Sequence, residues 1–430
     1  MTFDAGKKKH EARNIISFWI FGLCNNFTFS MMLSAAQDIL ARKQHSTQFS
    51  HNVTDLCIPE ITYRVCSPTS AGVVLLCNIV PALMVKLMCP FVMHWVPYGI
   101  RHLIICTLQV TSLLMTAFAK SVPAALLGVC VASLAGGLGE STFLGLAGHY
   151  SKHTIATWSS GTGMAGLIGA FSYAGMTDAR LLALTSTGAM LVMLVMPAIF
   201  AFTYYMVLIK PPSVRKISAN RPSEWFMNGQ TEKKVPPPAS DAENSSVQFT
   251  GLNSVLEQMR VVKSLLRYMI PMFLVYVAEY LINQGLLELT IFDCAHGFGN
   301  SPASQYRWYQ VMYQVGVFVS RSSLKLIQFN MTSIALMPLL QLLNTIFLTF
   351  NAIYSIVPHF GILCAIILYE GLIGGGSYVN TFHHIHKKVD PSIREFALST
   401  VSLADTVGIL VAALSAIPLH NAICAMQWYS

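Results

Sequence analysis

Long runs of hydrophobic residues recur along the whole chain, and short polar segments separate them. Each run comes close to the roughly 20 apolar residues that an α-helix needs to cross the hydrocarbon core of a bilayer. The pattern therefore predicts an all-α polytopic membrane protein with about eleven transmembrane helices. They are expected near residues 15–40, 70–95, 101–119, 123–147, 154–177, 180–208, 264–292, 305–325, 328–350, 354–382 and 393–418.

The composition supports this interpretation. Hydrophobic residues make up 54% of the 430 positions and charged residues 11%, whereas roughly 25% of the residues of a soluble protein are charged. So few charges could not cover the surface of a soluble protein of this length, and most of the surface must therefore face lipid. The net charge is +8, but the basic residues form no stripe interleaved with aromatic residues. We therefore expect no nucleic-acid partner.

Positive charges favour one side of the predicted membrane. They gather in Lys7–Lys9, in 209–263 and in 386–394, which lie on the same side if the chain crosses eleven times. Because basic loops tend to stay in the cytoplasm, we expect a cytoplasmic N-terminus and a luminal C-terminus. The first span is long and lacks a small-residue cleavage site, so it is expected to remain as an anchor.

Six spans, a long polar segment and five further spans indicate two related halves, as in many transporters. Residues 209–250 are polar and proline-containing and are expected to be disordered. Residues 252–263 have hydrophobic positions at helical spacing, which fits both a helix in the membrane interface and an extension of the seventh span. The predicted organisation is a cytoplasmic N-terminus (1–14), a six-helix bundle (15–208), a cytoplasmic loop with the interfacial helix (209–263), a five-helix bundle (264–418) and a C-terminal tail (419–430).

Ionisable side chains lie inside several spans, where a charge is costly and usually lines a cavity or pairs with a partner. The seventh span carries Glu279 together with Asn283 and Gln284. The fourth and tenth spans each combine a glycine cluster with one carboxylate, Glu140 and Glu370, which we take as counterparts in the two halves. Such a carboxylate either loads and releases protons, with Glu279 as the first candidate, or forms a fixed ion pair. Lys86, Glu288 and Asp405 also lie at membrane depth.

The eighth span has the most polar face. Arg307, Gln310, Gln314 and Arg321 are separated by three, four and seven residues, so they share one side of a helix. Such a face indicates a polar cavity, in which arginine suits a phosphate or carboxylate group. The predicted solute-binding residues are Glu279, Asn283, Gln284, Gln310, Gln314, Arg321, Glu140 and Glu370.

The loop 41–69 is expected to face the lumen. Asn52 begins the sequon Asn52-Val53-Thr54 and is the predicted glycosylation site. Cys57 and Cys66 lie in the same loop and form a candidate disulfide. Most of the other cysteines lie singly in apolar runs, where cysteine acts as a small hydrophobic residue.

Motifs for catalysis or cofactors lack the context that they need. Gly161–Gly166 fits G-x-G-x-x-G, but it begins a membrane span instead of following a strand, so its glycines are expected to serve helix packing. The cluster His383, His384 and His386 has no cysteine or carboxylate at ligand spacing. We therefore expect no metal, no cofactor and no enzymatic activity.

Ten segments spread along the chain form a recognisable set: Phe21–Phe27, Met32–Ala36, Trp158–Gly163, Ala278–Tyr280, Ile282–Leu286, Gln305–Gln310, Ser320–Ser323, Leu368–Leu372, Tyr378–His383 and Arg394–Ala397. Together they resemble the battenin family. The resemblance implies a lysosomal or late-endosomal membrane protein related to major facilitators, with links to lysosomal pH, basic amino acids and glycerophosphodiester clearance. Some members end in a prenylation box, which the last four residues of this chain lack.

The leading hypothesis is a major-facilitator-like transporter that moves a small polar solute, a glycerophosphodiester or a basic amino acid, across the lysosomal membrane, with protons as an expected second partner. The alternative is a non-transporting scaffold that organises endolysosomal trafficking proteins through residues 209–250. Deleting this loop distinguishes the two, because a scaffold loses its function and a transporter keeps most of its flux.

Overall fold

The structure is a computed structural model. It describes residues 2–35, 57–61, 66, 72–92, 96–151, 153–177, 182–211, 214, 255–390 and 393–426. Within these ranges the chain forms helices and no strand. The predicted glycosylation site Asn52 and nearly all of the loop 209–250 lie outside the described residues.

The helices of the N-terminal half follow the predicted spans, and local capping fixes where several of them begin. Ser121, for example, accepts a hydrogen bond from the N–H of Ala124, and a proline occupies the first turn of the helix that follows, which is a common way to start a helix. The helices are α1 (Thr2–Ser34), α2 (Gly72–Val92), α3 (Tyr98–Ala117), α4 (Val122–Ala147), α5 (His153–Thr177), α6 (Ser186–Val192) and α7 (Val195–Phe202). The sixth predicted span is thus broken between α6 and α7, and a π-helical turn, Thr203–Val207, extends it.

The C-terminal half contains the other five predicted spans. Ser301, Asn330 and His359 cap three of its helices by accepting a backbone N–H. The helices are α8 (Val255–Leu281), α9 (Pro302–Ser322), α10 (Met331–Tyr354), α11 (Phe360–Lys388) and α12 (Arg394–Ala425). A π-helical turn, Ile282–Leu286, and a 3₁₀ turn, Leu287–Leu289, continue α8.

Nine helical segments in the described part of the chain are long and apolar enough to cross a membrane. The helices α5 and α9 occupy the positions of the fifth and eighth predicted spans but are not among these nine. These two helices pack against each other between the two halves. The number of eleven spans stays a prediction.

Three helix ends differ from the predicted bounds. The first helix begins at Thr2 instead of near residue 15, and α12 continues through Pro418 to Ala425. Residues 255–263 belong to α8, so this segment is an extension of the seventh span rather than a separate interfacial helix. A helix bonds its own backbone groups, so it can continue past the apolar run that defines the predicted span.

Helix pairing repeats between the two halves. The pairs α1–α5 and α2–α4 in the N-terminal half correspond to α8–α12 and α9–α11 in the C-terminal half. Between the halves, α2 packs on α12 and α5 packs on α9, which are again equivalent contacts. This arrangement confirms the two related bundles that the sequence predicts.

Glycines permit the closest of these contacts. A Cβ at Gly161 would overlap the carbonyl oxygen of Trp19, and a Cβ at Gly22 would overlap that of Trp158, so α1 and α5 touch backbone to backbone. A Cβ at Gly163 would lie 2.9 Å from the Cα of Phe318 on α9. The glycines of the G-x-G-x-x-G sequence therefore serve helix packing, as predicted.

The two cysteines of the first loop form disulfides, but not with each other. Cys57 is bonded to Cys294, which follows α8, and Cys66 is bonded to Cys424 near the end of α12. The backbone N–H of Cys294 also donates to the carbonyl oxygen of Ile58, at 2.9 Å. The candidate pairing of Cys57 with Cys66 is therefore wrong, because the folded chain brings each of them to a cysteine of the C-terminal half. Both disulfides lie at the end of the bundle that is predicted to face the lumen.

These disulfides predict how a cleaved chain behaves on a gel. A protease site inserted in residues 230–245 should yield two fragments that stay joined without reductant and separate with it, because both disulfides cross the cleavage point. The double variant C57S/C66S should separate under both conditions. If the fragments of the protein that keeps all its cysteines separate without reductant, the local Cys57–Cys66 pairing would be supported instead.

Candidate functional site

A polar cavity lies between the two halves. Its empty space amounts to about 630 Å³, including the part that is open to solvent, which is within the roughly 300–1,000 Å³ of small-molecule pockets. Helices from both halves form its wall. Its polar lining consists of Asn25, Asn26, Asn78, Lys86, Ser133, Glu140, Tyr276, Tyr280, Arg321, Tyr378, Asp405 and Thr406.

Lys86 on α2 is the most completely bonded group of the cavity. Its Nζ lies 2.7 Å from Glu140 Oε2 on α4 and 3.4 Å from Asp405 Oδ1 on α12. It also donates to Thr406 Oγ1 at 2.6 Å and to the carbonyl oxygen of Ser402 at 3.1 Å. Lys86 is 2% exposed, and a cation this deeply buried requires compensating charge. Its bonds to α12 connect the two halves.

Close packing of α2 on α4 places Lys86 beside Glu140. A Cβ at Gly137 would lie 2.8 Å from the Cα of Ala82, so the two backbones touch at this level. Lys86 follows Ala82 by four residues and Glu140 follows Gly137 by three, and both therefore project from the same faces one turn further along.

Arg321 on α9 connects the halves at the other interface. Its Nη1 donates to Thr162 Oγ1 on α5 at 2.6 Å, and its Nη2 donates to the hydroxyl of Tyr276 at 3.1 Å. Its guanidinium carbon lies 4.2 Å from the ring centroid of Tyr378, a cation–π contact. Within the described residues, no carboxylate lies at ion-pair distance, and Nε has no hydrogen-bond partner. The described groups in direct contact with the guanidinium are therefore neutral.

The two cations occupy equivalent positions in the repeat. Gly375 on α11 packs on Val317 of α9, as Gly137 packs on Ala82, and Tyr378 and Arg321 follow by three and four residues. Tyr378 thus stands where the N-terminal half has Glu140, and its hydroxyl donates to Glu140 Oε1 at 3.3 Å. The predicted correspondence of Glu140 with Glu370 is wrong, because the close-packed glycines set a different register.

Four of the predicted residues form a second polar cluster inside the C-terminal half. The hydroxyl of Tyr313 donates to Glu279 Oε1 in a short hydrogen bond. Asn283 Nδ2 donates to Glu370 Oε1 at 2.8 Å, and Gln310 Nε2 lies 3.5 Å from Asn283 Oδ1. Glu279 is 1% exposed and Glu370 0%, and neither lines the cavity. This cluster lies behind the cavity wall.

The remaining predicted residues have separate positions. Gln284 accepts a hydrogen bond from the hydroxyl of Tyr306 at 3.1 Å, within the π-helical turn that ends the seventh span. Gln314 packs where a Cβ at Gly166 on α5 would overlap it. Of the eight predicted residues, only Arg321 and Glu140 line the cavity.

Only some of the other cavity residues could be recognised from the sequence. Lys86 is the only charged residue of the apolar run that forms α2, and Asp405 is likewise a carboxylate within an apolar span; both were signals of this site. The unpaired side-chain oxygen of Asn25 and the unpaired amide of Asn78 could not be recognised, because asparagine within a span is also compatible with helix packing. No sequence spacing connects Lys86 with Asp405, which are separated by 319 positions.

A buried contact between a histidine and a glutamate lies away from the cavity. His420 Nδ1 on α12 is 2.8 Å from Glu288 Oε1 after α8, and both side chains are nearly inaccessible. The sequon-bearing loop reaches the same region, because Cys66 is bonded to Cys424 one turn after His420. This pair joins α8 to α12 within the C-terminal half.

Comparison with known proteins places the fold. The chain matches the family described as CLN3 protein over residues 16–426. It is 40% identical over 422 residues to battenin of Canis lupus familiaris, covering 96% of this chain and 92% of that protein. It is 34% identical over 443 residues to Protein btn-1 of Neurospora crassa, with coverage of 96% and 88%.

Two solved transporter structures share the arrangement of helices. The human organic anion transporter MFSD10 (TETRAN) gives a TM-score of 0.61 at 12% identity, covering 96% of this chain and 94% of that one. A bacterial homologue of the human lysosomal transporter Spinster, inward-facing and unoccupied, gives 0.51 at 11% identity, with coverage of 95% and 82%. The predicted major-facilitator-like fold is confirmed.

The ion pairs of Lys86 predict a large effect of its removal. In K86M, Glu140 and Asp405 face each other without a cation, and stability should fall by about 3–5 kcal/mol, measured by thermal unfolding in detergent. The triple variant K86M/E140Q/D405N should recover most of this loss because it buries no charge. The matched control is K120M, at an exposed lysine, which should change stability little. A K86M protein as stable as the control would contradict the buried ion pairs.

Proposed function

The chain belongs to the CLN3 protein family, and on that premise we propose that it transports a small solute with an anionic group, bound at Arg321, across a membrane. The observation that carries the proposal is the difference between the two cavity cations. Lys86 contacts two carboxylates directly, whereas the described groups that contact Arg321 are hydroxyls and an aromatic ring. A phosphate or carboxylate of a solute supplies a counter-charge in direct contact and matches the planar donor geometry of arginine.

Unpaired amides in the same cavity support a polar solute. Asn78 lines the cavity and neither polar atom of its side chain has a partner among the described residues. The side-chain oxygen of Asn25 is also unpaired. Buried amides usually have hydrogen-bond partners, so these groups are suited to hydroxyl or ammonium groups of a bound solute.

Two solute classes fit this arrangement. A glycerophosphodiester would place its phosphate at Arg321 and its hydroxyl groups at the asparagines. A basic amino acid would place its carboxylate at Arg321 and its side-chain cation toward Glu140 and Asp405. Both use the same anion site, and they differ in whether the acidic side of the cavity contacts the solute directly.

The contacts between the halves support alternating access. Lys86 connects α2 to α12, and Arg321 connects α5 to α9, so a buried cation bridges each of the two equivalent interfaces. A cavity between rigid halves opens to one side when the bridges at that side separate. The bridges involve a few side chains, which a bound solute can compete for.

We place the protein in the lysosomal or late-endosomal membrane, where export of such solutes would contribute to lysosomal pH and amino-acid homeostasis. The support is membership in the battenin family together with the two disulfides at the end predicted to face the lumen, since disulfides persist in oxidising compartments outside the cytosol.

Replacing Arg321 tests the anion site. In proteoliposomes, R321Q should lower uptake of the transported solute at least tenfold, because an anion that loses a charge-assisted hydrogen bond loses about 1.5–3 kcal/mol of binding. R321K should retain part of the uptake. The control is R267Q, at an exposed arginine of α8, which should transport like the wild type.

Candidate solutes for this assay come from lysosomes that lack the protein, as the metabolites that accumulate there. Equal uptake by R321Q and the wild type would reject the anion site. A protein that transports none of the accumulating solutes, but whose loss still disturbs trafficking, would favour the scaffold function.

A further inference from the structure

We propose that Glu140 and Asp405 form a shared proton-binding site, which takes up one proton when an anionic solute binds at Arg321. The inference deepens the proposed function and rests on its anion site. It assigns the coupling ion, the residues that hold it and the ratio of one proton to one negative charge on the solute.

The charges of the cavity carry this inference. Its charged residues are Lys86, Arg321, Glu140 and Asp405, two cations and two carboxylates, so the empty site is neutral when all four are ionised. A monoanionic solute leaves one negative charge in excess, in a site enclosed by helices. Excess charge at bilayer depth is costly, and a proton on one carboxylate restores neutrality.

The geometry favours these two carboxylates as acceptors of the proton. Both lie against the same ammonium, at 2.7 Å for Glu140 and 3.4 Å for Asp405. Two carboxylates that share a site are harder to keep ionised together than singly, and their protons are bound by the pair rather than by either residue alone. Lys86 balances one of them, and Arg321 balances the other only until a solute anion occupies it.

The hydroxyl, thiol and guanidinium groups around the pair cannot accept a proton near neutral pH. Tyr276 and Tyr280 on α8, Tyr378 on α11 and Cys89 on α2 already carry their protons there, and so does Arg321. Glu279 is the remaining carboxylate on this side of α8, but it does not line the cavity and its Oε1 accepts the hydroxyl of Tyr313. The proton site is therefore the Glu140–Asp405 pair and not Glu279, the first candidate from the sequence.

The two ligands act on the two equivalent interfaces. A solute anion competes with Thr162 for the guanidinium of Arg321, which weakens the bridge between α5 and α9. A proton on Asp405 removes its charge attraction to Lys86, which weakens the bridge between α2 and α12. Solute and proton together therefore loosen both of the bridges that the cations form between the halves, and either alone leaves one of these bridges intact. This arrangement couples the two fluxes without a direct contact between solute and proton.

Calorimetric titration of the full-length protein in detergent tests the inference. The probes are dimethyl phosphate and acetate, which represent the phosphodiester and carboxylate classes and are monoanions near neutral pH. Titrations in two buffers of different ionisation enthalpy give both the affinity and the number of protons taken up. The wild type should take up close to one proton for each probe bound, and the apparent affinity should rise up to about tenfold for each unit by which the pH falls.

Variants locate the proton. E140Q/D405N should bind the probe with no proton uptake, and E279Q should take up the same number of protons as the wild type. E257Q, at an exposed glutamate of α8, is the control for altered surface charge. If the double variant does not fold, the single variants E140Q and D405N answer the question, because either one should reduce the proton count.

The outcomes separate the two proposals. A wild type that binds neither probe overturns the anion site, and this inference falls with it. A wild type that binds a probe without proton uptake overturns only the shared proton site. Proton uptake that E279Q loses and E140Q/D405N keeps would assign the proton to Glu279 and reject the pair.

Discussion

The structure depends on compensation for a positive charge buried between two helical bundles. Lys86 is nearly inaccessible, and its ammonium is satisfied only because α4 and α12 both approach it closely. Small residues let α2 and α4 approach closely, which brings Glu140 to the ammonium. A hydroxyl and a carbonyl group of α12 accept its other hydrogen bonds. Since an isolated ion in such surroundings is strongly destabilising, this one interaction fixes how the two halves meet.

The two halves contain the same arrangement of a cation beside a close helix contact, but the neighbour of the cation differs between them. Each half contributes one cation on equivalent helices, beside a glycine contact and facing the other half. In one copy a carboxylate, Glu140, stands next to the cation, and in the other the aromatic ring of Tyr378 takes that place. A cation without a carboxylate in direct contact, opposite one that contacts two, suits a carrier of an anion. The anionic group of the solute would then contact Arg321 as Glu140 contacts Lys86.

Much of the fold could be predicted from the sequence, because it follows from hydrophobic run length and from glycine clusters. The two bundles and the packing role of Gly161–Gly166 are examples. The site could be predicted only in part, since two of the eight predicted residues line the cavity. Arg321 and Glu140 are conspicuous as charges within spans, but the same rule selected Glu279 and Glu370, which accept hydrogen bonds from Tyr313 and Asn283 inside one bundle. Partners such as Lys86 with Asp405, or Cys66 with Cys424, lie hundreds of positions apart, and no local pattern records which residues meet.

The most direct test of this account is an experimental structure of the full-length protein with its transported solute bound. We expect density for the anionic group within hydrogen-bond distance of Arg321, with the polar remainder of the solute toward Asn78 and Asn25. Lys86 should remain in contact with Glu140, whether or not its contact with Asp405 is kept. Density for the solute inside the C-terminal half, against Glu279 and Glu370 and away from Arg321, would contradict the account.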